Sequence, residues 1–264
     1  MIALRPLISV FAIGALATVL TACSTTESTR NVVRSGSSAD RISPVRAAEL
    51  NTRMGVGYLE QGEPQIAMQK LLLAVQQDPE HVPAHLALGF VYESINSNDK
   101  ALQHLKTAVR LAPEDGAAHN SYAALLCRVG RYKEADRHFQ AALEDPFYST
   151  PDVALANAGA CARRDGRDAD AEGYLREALS IDEQNRSALF NLSEMFFLQG
   201  NALQARAFLQ RLESIGRLSP AALLLGYRIE RALDSDQMAR QYAQTIESQF
   251  PDSPQASELR QLKR

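Results

Sequence analysis

One feature constrains this chain more than any other: the same small and apolar residues return in the same order about every 34 positions. Leu88, Gly89 and Tyr92, followed by Ala101, Leu105, Ala108 and Pro113, mark one unit from Val82 to Asp115. One period earlier stand Met54, Gly55, Tyr58, Ala67, Leu71, Ala74 and Pro79; one period later stand Tyr122, Ala123, Leu126, Ala135, Phe139 and Ala142. Within a unit the pattern predicts two short amphipathic helices joined by a polar turn, here over 85–96 and 99–111. A helix pair of this kind carries an apolar stripe that it cannot bury alone, so neighbouring pairs must stack. Gly55, Gly89 and Ala123 in the first helix, with Ala67, Ala101 and Ala135 in the second, let the axes approach to about 8–10 Å. The larger residues Tyr58, Tyr92, Leu71, Leu105 and Phe139 fill the space between them.

This period and marker set are those of the tetratricopeptide repeat. The expected fold is therefore all-α, a superhelical solenoid of about six helix-turn-helix repeats over 48–81, 82–115, 116–151, 152–185, 186–218 and 219–252. The third repeat is lengthened by about two residues at Asp145-Pro146-Phe147-Tyr148-Ser149-Thr150-Pro151, where prolines and an aspartate favour a loop over continued helix. Gly159, Ala171, Leu175 and Ala178 carry the pattern through the fourth unit, and Leu192, Phe196, Ala205 and Leu209 through the fifth. The sixth is degenerate, with Leu225, Gly226, Ile229, Met238 and Tyr242, and Pro251 and Pro254 should end it ahead of a charged tail. The solenoid is expected to span 47–264.

Residues 1–22 hold Arg5 and then an apolar run from about Leu7 to Leu20, the shape of an export signal and short for a membrane span of roughly 20 residues. The segment ends in Leu20-Thr21-Ala22-Cys23, which resembles a bacterial lipobox. Cys23 is then the lipidated first residue of the mature chain, and Ser24 in the next position implies sorting to the outer membrane. An ordinary cleaved signal and an uncleaved anchor are the competing readings. Two or more acyl chains give stable attachment where one is marginal, so a multiply acylated Cys23 needs no spanning helix. Residues 23–46, rich in Ser, Thr and Arg with little to bury, are expected to form a flexible tether.

No phosphate-binding loop, zinc-hydrolase helix or nucleophile elbow is present in the sequence, so catalysis is not expected and neither is a metal or a cofactor beyond the covalent lipid. His81 and His85 are separated by Pro83 at a helix start, which argues against a shared metal-binding face; His85 and His119 share one repeat position and are expected to pack between helices. The net charge of −3 argues against non-specific nucleic-acid binding, which calls for a basic face. Cys127 and Cys161 lie in the first helices of adjacent repeats. A disulfide between them is one alternative, but they stand two positions apart in repeat register. That is about 200° on ideal helices, and it favours buried free thiols.

First helices of such an array line a groove suited to an amphipathic helix or an extended peptide. Mapping inward-facing positions gives Val56, Leu59, Leu86, Phe90, Ala124 and Cys127 in the first half. Phe190, Phe197, Leu223 and Tyr227 follow in the second, with Arg163, Arg164 and Glu194 between. The basic residues that would clamp a C-terminal carboxylate are missing, with only Asn120 in place.

Three segments go beyond the generic repeat: 120–132 (Asn-Ser-Tyr-Ala-Ala-Leu-Leu-Cys-Arg-Val-Gly-Arg-Tyr), Asp145-Pro-Phe-Tyr148 with Asn157-Ala-Gly-Ala-Cys161, and Leu223-Leu-Leu-Gly-Tyr-Arg-Ile229. With the lipobox and the order of repeats, they resemble the type IV pilus biogenesis lipoproteins of the PilF/PilW family. The resemblance implies a pilotin, a monomer before binding, held on the periplasmic face of the outer membrane. Such proteins assist the localisation and multimerisation of the secretin through which the pilus leaves the cell. It also implies docking in the early groove, at Val56, Leu59, Leu86 and Phe90. The alternatives are an adaptor for another envelope complex, of outer-membrane protein assembly or of peptidoglycan enzymes, and an enzyme.

Overall fold

The computed structural model describes residues 43–263, and the described residues form thirteen α-helices and no strand. The signal segment 1–22, the lipidation residue Cys23, the sorting residue Ser24 and the tether up to residue 42 lie outside the described residues.

Six antiparallel pairs follow one another: α1 (Pro44–Glu60) with α2 (Pro64–Gln77), α3 (Val82–Ser94) with α4 (Asn98–Leu111), α5 (Gly116–Arg128) with α6 (Tyr132–Glu144), α7 (Pro151–Arg164) with α8 (Asp168–Ile181), α9 (Arg186–Leu198) with α10 (Ala202–Ile215), and α11 (Pro220–Ala232) with α12 (Asp236–Gln249). A single helix, α13 (Pro254–Leu262), closes the stack against α11 and α12. Each first helix also touches the first helices before and after it, so the array is the tetratricopeptide solenoid that the period predicts.

Local chemistry sets the ends of the helices. Ser43, Asp115, Asn185, Ser219 and Ser253 accept hydrogen bonds from backbone N–H groups in the first turns of α1, α5, α9, α11 and α13. Proline occupies the first turn of α1, α2, α3, α7, α11 and α13, where its missing N–H costs nothing. The turn inside every pair needs one residue of left-handed backbone, supplied by Gly62, Asn96, Gly130, Gly166, Gly200 and Asp234. Glycine pays no steric penalty there, and asparagine and aspartate tolerate it best among the others. These six residues are spaced by 34, 34, 36, 34 and 34, so the one departure from the period lies between the third and fourth turns.

The departure is an ordered loop. Asp145 accepts from the backbone N–H of Gly116 at 2.9 Å and of Phe147 at 2.8 Å, and these two bonds hold its carboxyl below the usual range. Tyr148 packs onto Gly116, where an added Cβ would come within 2.7 Å of the ring. Phe147 is left 91% exposed at the tip.

Close approach within pairs rests on one small residue in each first helix. A Cβ built on Gly159 would lie 2.7 Å from Leu175 Cγ, a side chain buried completely, and Gly55, Gly89 and Gly226 meet Leu71, Leu105 and Tyr242 in the same manner. At the equivalent place in α9 the buried Ser193 hydroxyl donates to the Ala205 carbonyl at 2.8 Å. Replacing Gly159 by Val should therefore cost about 1–3 kcal/mol through overpacking, read as a lower denaturation midpoint. An unchanged midpoint would show that α7 and α8 can separate freely.

The buried side chains form two main clusters, one reaching from Leu71 to Cys161 and the other from Leu155 to Leu259. They meet at α7, whose Ala158 and Cys161 belong to the first and whose Leu155, Ala156 and Ala162 belong to the second. Two boundaries differ from the sequence reading. Helix α1 begins at Pro44, so residues 44–46 are helix rather than tether. The expected charged tail is instead α13, because Ser253 caps a new helix at Pro254 whose Ala256 and Leu259 are buried. A proline that ends one helix is equally suited to begin the next.

Candidate protein-docking groove

The first helices of the pairs share one face of the stack, and two hollows open on it, the first mainly apolar and the second of mixed character. The first is a cavity of about 190 Å³ between α3, α5 and α7. Leu86 and Phe90 form one wall and Ala124 the other, with Leu105 beneath. Phe90 is 61% exposed, a large aromatic surface with no intramolecular cover. Polar groups rim the hollow: Glu93 pairs with Arg128 across it, and Asn157 donates to the Asn120 side-chain oxygen at 3.0 Å. An apolar floor with a satisfied polar rim is the anatomy of a protein-docking site.

The second hollow, about 180 Å³, lies between α9, α11 and α13. Phe190 and Phe197 line it together with Leu198, which is 73% exposed, and Leu224. An Arg228–Glu258 pair joins α11 to α13 at its edge. Between the hollows the Arg163–Glu194 pair bridges α7 and α9, with Glu194 at the edge of the second hollow.

Of the residues mapped from the sequence, Leu86, Phe90 and Ala124 come together in the first hollow and Phe190 and Phe197 in the second. Val56 is exposed on α1 and Leu59 packs against the N-terminal core, and neither lines the hollow that holds Phe90. Tyr227 requires a correction: it follows Gly226 as Phe90 follows Gly89, yet it is only 8% exposed and, with Leu223, belongs to the C-terminal core. The register argument treated α11 as the last stacked helix, whereas α13 packs against it and adds Ala256 and Leu259 to the same cluster. Sequence reasoning missed Leu198 and the Glu93–Arg128 rim. An apolar residue at the very end of a first helix, next to the Gly200 turn, was the available signal for Leu198.

Cys127 is likewise not a groove residue, and the thiols are not free. Cys127 and Cys161 form a disulfide with their Cα atoms 5.7 Å apart. The offset of two register positions, about 200° of rotation, is what permits it. Adjacent first helices meet through opposite faces, so side chains that face each other across the contact must point in nearly opposite directions from their own axes. Equal register would have aimed both thiols the same way.

The histidines pair across helices. His85 Nε2 lies 3.1 Å from the Pro79 carbonyl oxygen, which can only accept, so that nitrogen carries the proton; His85 Nδ1 then accepts from His104 Nδ1 at 3.1 Å. One repeat later His119 binds the Pro113 carbonyl and His138 in the same way, at 2.9 Å each. Burial first, and then the neighbouring histidine, hold His104 and His138 below the ordinary histidine value. His81 stands at the N-cap of α3 and takes no part in either pair.

Comparison with known proteins agrees with this architecture. A tetratricopeptide-repeat family profile matches residues 58–125. The type IV pilus assembly protein PilF of Pseudomonas aeruginosa is 23% identical over 244 residues, covering 92% of this chain and 94% of its own. The crystal structure of PilW, described as a widely conserved type IV pilus biogenesis factor, superposes with a TM-score of 0.73 at 28% identity, over 82% of this chain and 98% of that one. The P. aeruginosa PilF structure gives 0.69 at 22% identity, over 84% and 99%.

Proposed function

Because this chain is a tetratricopeptide-repeat protein homologous to the type IV pilus protein PilF, we propose that it is a non-catalytic pilotin of type IV pilus biogenesis. In this reading Cys23 carries the lipid that holds the protein at the periplasmic face of the outer membrane, and Ser24 directs it there. The partner is the pilus secretin, whose localisation and multimerisation the protein promotes. The observation that carries the proposal is the hollow of the early repeats, with Phe90 presented above Leu86 and Ala124. An exposed aromatic lining a polar-rimmed apolar hollow has the character of an interface hot spot.

A carboxylate in place of Phe90 would have to be desolvated against an apolar partner. Phe90→Glu is accordingly expected to weaken secretin binding at least about thirtyfold, the equivalent of about 2 kcal/mol, with helical content unchanged. Binding titrations with circular dichroism of the same samples read both. Unchanged affinity would remove the hollow from the interface, and lost helicity would make Phe90 a folding residue. In cells, deleting the gene should abolish detergent-resistant secretin multimers while monomer persists. Intact multimers would leave the adaptor reading, with a different envelope client.

A further inference from the structure

A third depression lies away from the docking face. It is a cleft of about 690 Å³ between α4 and α6, floored by His119 and Tyr122 of α5 and bordered by His138. Lys106 and Arg110 of α4 stand on one wall, and Arg131 at the N-cap of α6 with Glu134 and Arg137 of α6 on the other. Glu134 is bound by Arg131 through both oxygens, at 2.8 and 2.6 Å, which neutralises that pair. Lys106, Arg110 and Arg137 enter no salt bridge among the described residues. Three cations without carboxylate partners thus converge on one cleft of a chain whose net charge is −3.

The repeat supplies its own comparison. One period earlier the corresponding wall positions hold Leu72, Gln76 and Gln103, although the His85–His104 pair is present. One repeat later they hold Gln140, Glu144 and Gly173. Neither flanking cleft repeats the three cations, and the cleft between α8 and α10 holds two arginines, of which Arg176 is paired with Glu172. A local focus of charge suits a compact multivalent anion better than an extended acidic strand.

We propose that the α4–α6 cleft binds a tetrahedral oxyanion of the phosphate class through Lys106, Arg110 and Arg137, in linkage with protonation of His138 at Nε2. The pairing geometry allows that linkage. His119 Nε2–H donates to the Pro113 carbonyl and His138 Nδ1–H to His119 Nδ1, which leaves His138 Nε2 as the free basic nitrogen. A proton added there creates a cation without breaking either hydrogen bond. In the free protein burial, His119 and Arg137 oppose that proton and Glu134 favours it. An anion in the cleft favours it further, so affinity must rise as pH falls through the titration of His138.

The test follows the histidine ring protons of the full chain by NMR at constant ionic strength. Inorganic pyrophosphate measures affinity. Sulfate, whose charge does not change over the range, measures pH dependence. Saturable binding is expected, with sulfate at least threefold tighter near pH 5.5 than near pH 8, and with the His138 midpoint raised while the His104 midpoint stays in place. A Lys106→Gln/Arg137→Gln variant should lose at least tenfold in affinity with its thermal midpoint unchanged. Equal movement of His104 and His138, a response that never saturates, or an unaffected double variant would each overturn the proposal. Sedimentation with vesicles of phosphatidic acid in phosphatidylcholine separates the sources: co-sedimentation lost in the double variant identifies a lipid headgroup, and pyrophosphate binding without it identifies a soluble anion.

Discussion

Loss of the Cys127–Cys161 bridge is expected to lower the unfolding free energy by about 3–4 kcal/mol. The two residues are 34 apart, and closing a loop of that length removes about this much chain entropy from the unfolded ensemble. Denaturant titrations with and without a reductant, and of a Cys127→Ser/Cys161→Ser variant, measure the effect. The variant should be insensitive to reductant and should match the reduced wild type. The bridge joins α5 to α7 across the irregular Asp145–Thr150 segment, where the repeat spacing departs from its period. Its loss should therefore also split the transition, with the halves on either side of α7 melting separately, because each repeat is held only by its neighbours. A single transition at an unchanged midpoint would show that packing alone holds the third and fourth repeats together.

Removing Arg206 should be comparably costly. Glu230 on α11 is 3% exposed, and its carboxylate is held by Arg206 of α10, with Nε donating to Oε1 at 2.8 Å and NH2 bonded to Oε2. The same guanidinium reaches the Ser235 hydroxyl at 3.1 Å, which ties the turn after α11 into the network. Arg206→Met would leave a buried carboxylate without its counter-charge, at a cost of about 3–5 kcal/mol. Adding Glu230→Met should recover most of that loss, because two apolar side chains can replace a buried ion pair at little expense. If the single and double variants are equally unstable, the damage lies in packing rather than in the orphaned charge. Both substitutions fall in the last third of the chain, so the Phe90 hollow should keep its geometry wherever the first four repeats stay folded.

The fold was legible because a repeat states its rules several times over. Gly55, Gly89, Gly159 and Gly226 recur because each meets a large side chain of the partner helix, and the turns recur because each needs left-handed backbone. What repetition hides is the direction in which a side chain faces its neighbour. Cys127 and Cys161 were misread by comparing their register as though adjacent helices met through the same face. Tyr227 was misread because extrapolation from Phe90 has no way to anticipate α13, an element that occurs once. The residues that line the hollows were legible where period and hydrophobicity coincide, as at Leu86 and Phe90. They were missed where the useful residue is polar or terminal, as at Arg128 and Leu198.

Helix α7 contributes side chains to both core clusters, and its Cys161 is bound to Cys127 of α5. Considered as a mechanical element, a stack of helix pairs is a row of springs in series, and its weakest coupling sets where it parts under load. A covalent rivet at the phase slip takes that coupling out of the series. Tension on the array would then be relieved at its end repeats, and the middle of the stack, with the Asn120–Asn157 contact beside the Phe90 hollow, would hold its geometry longest.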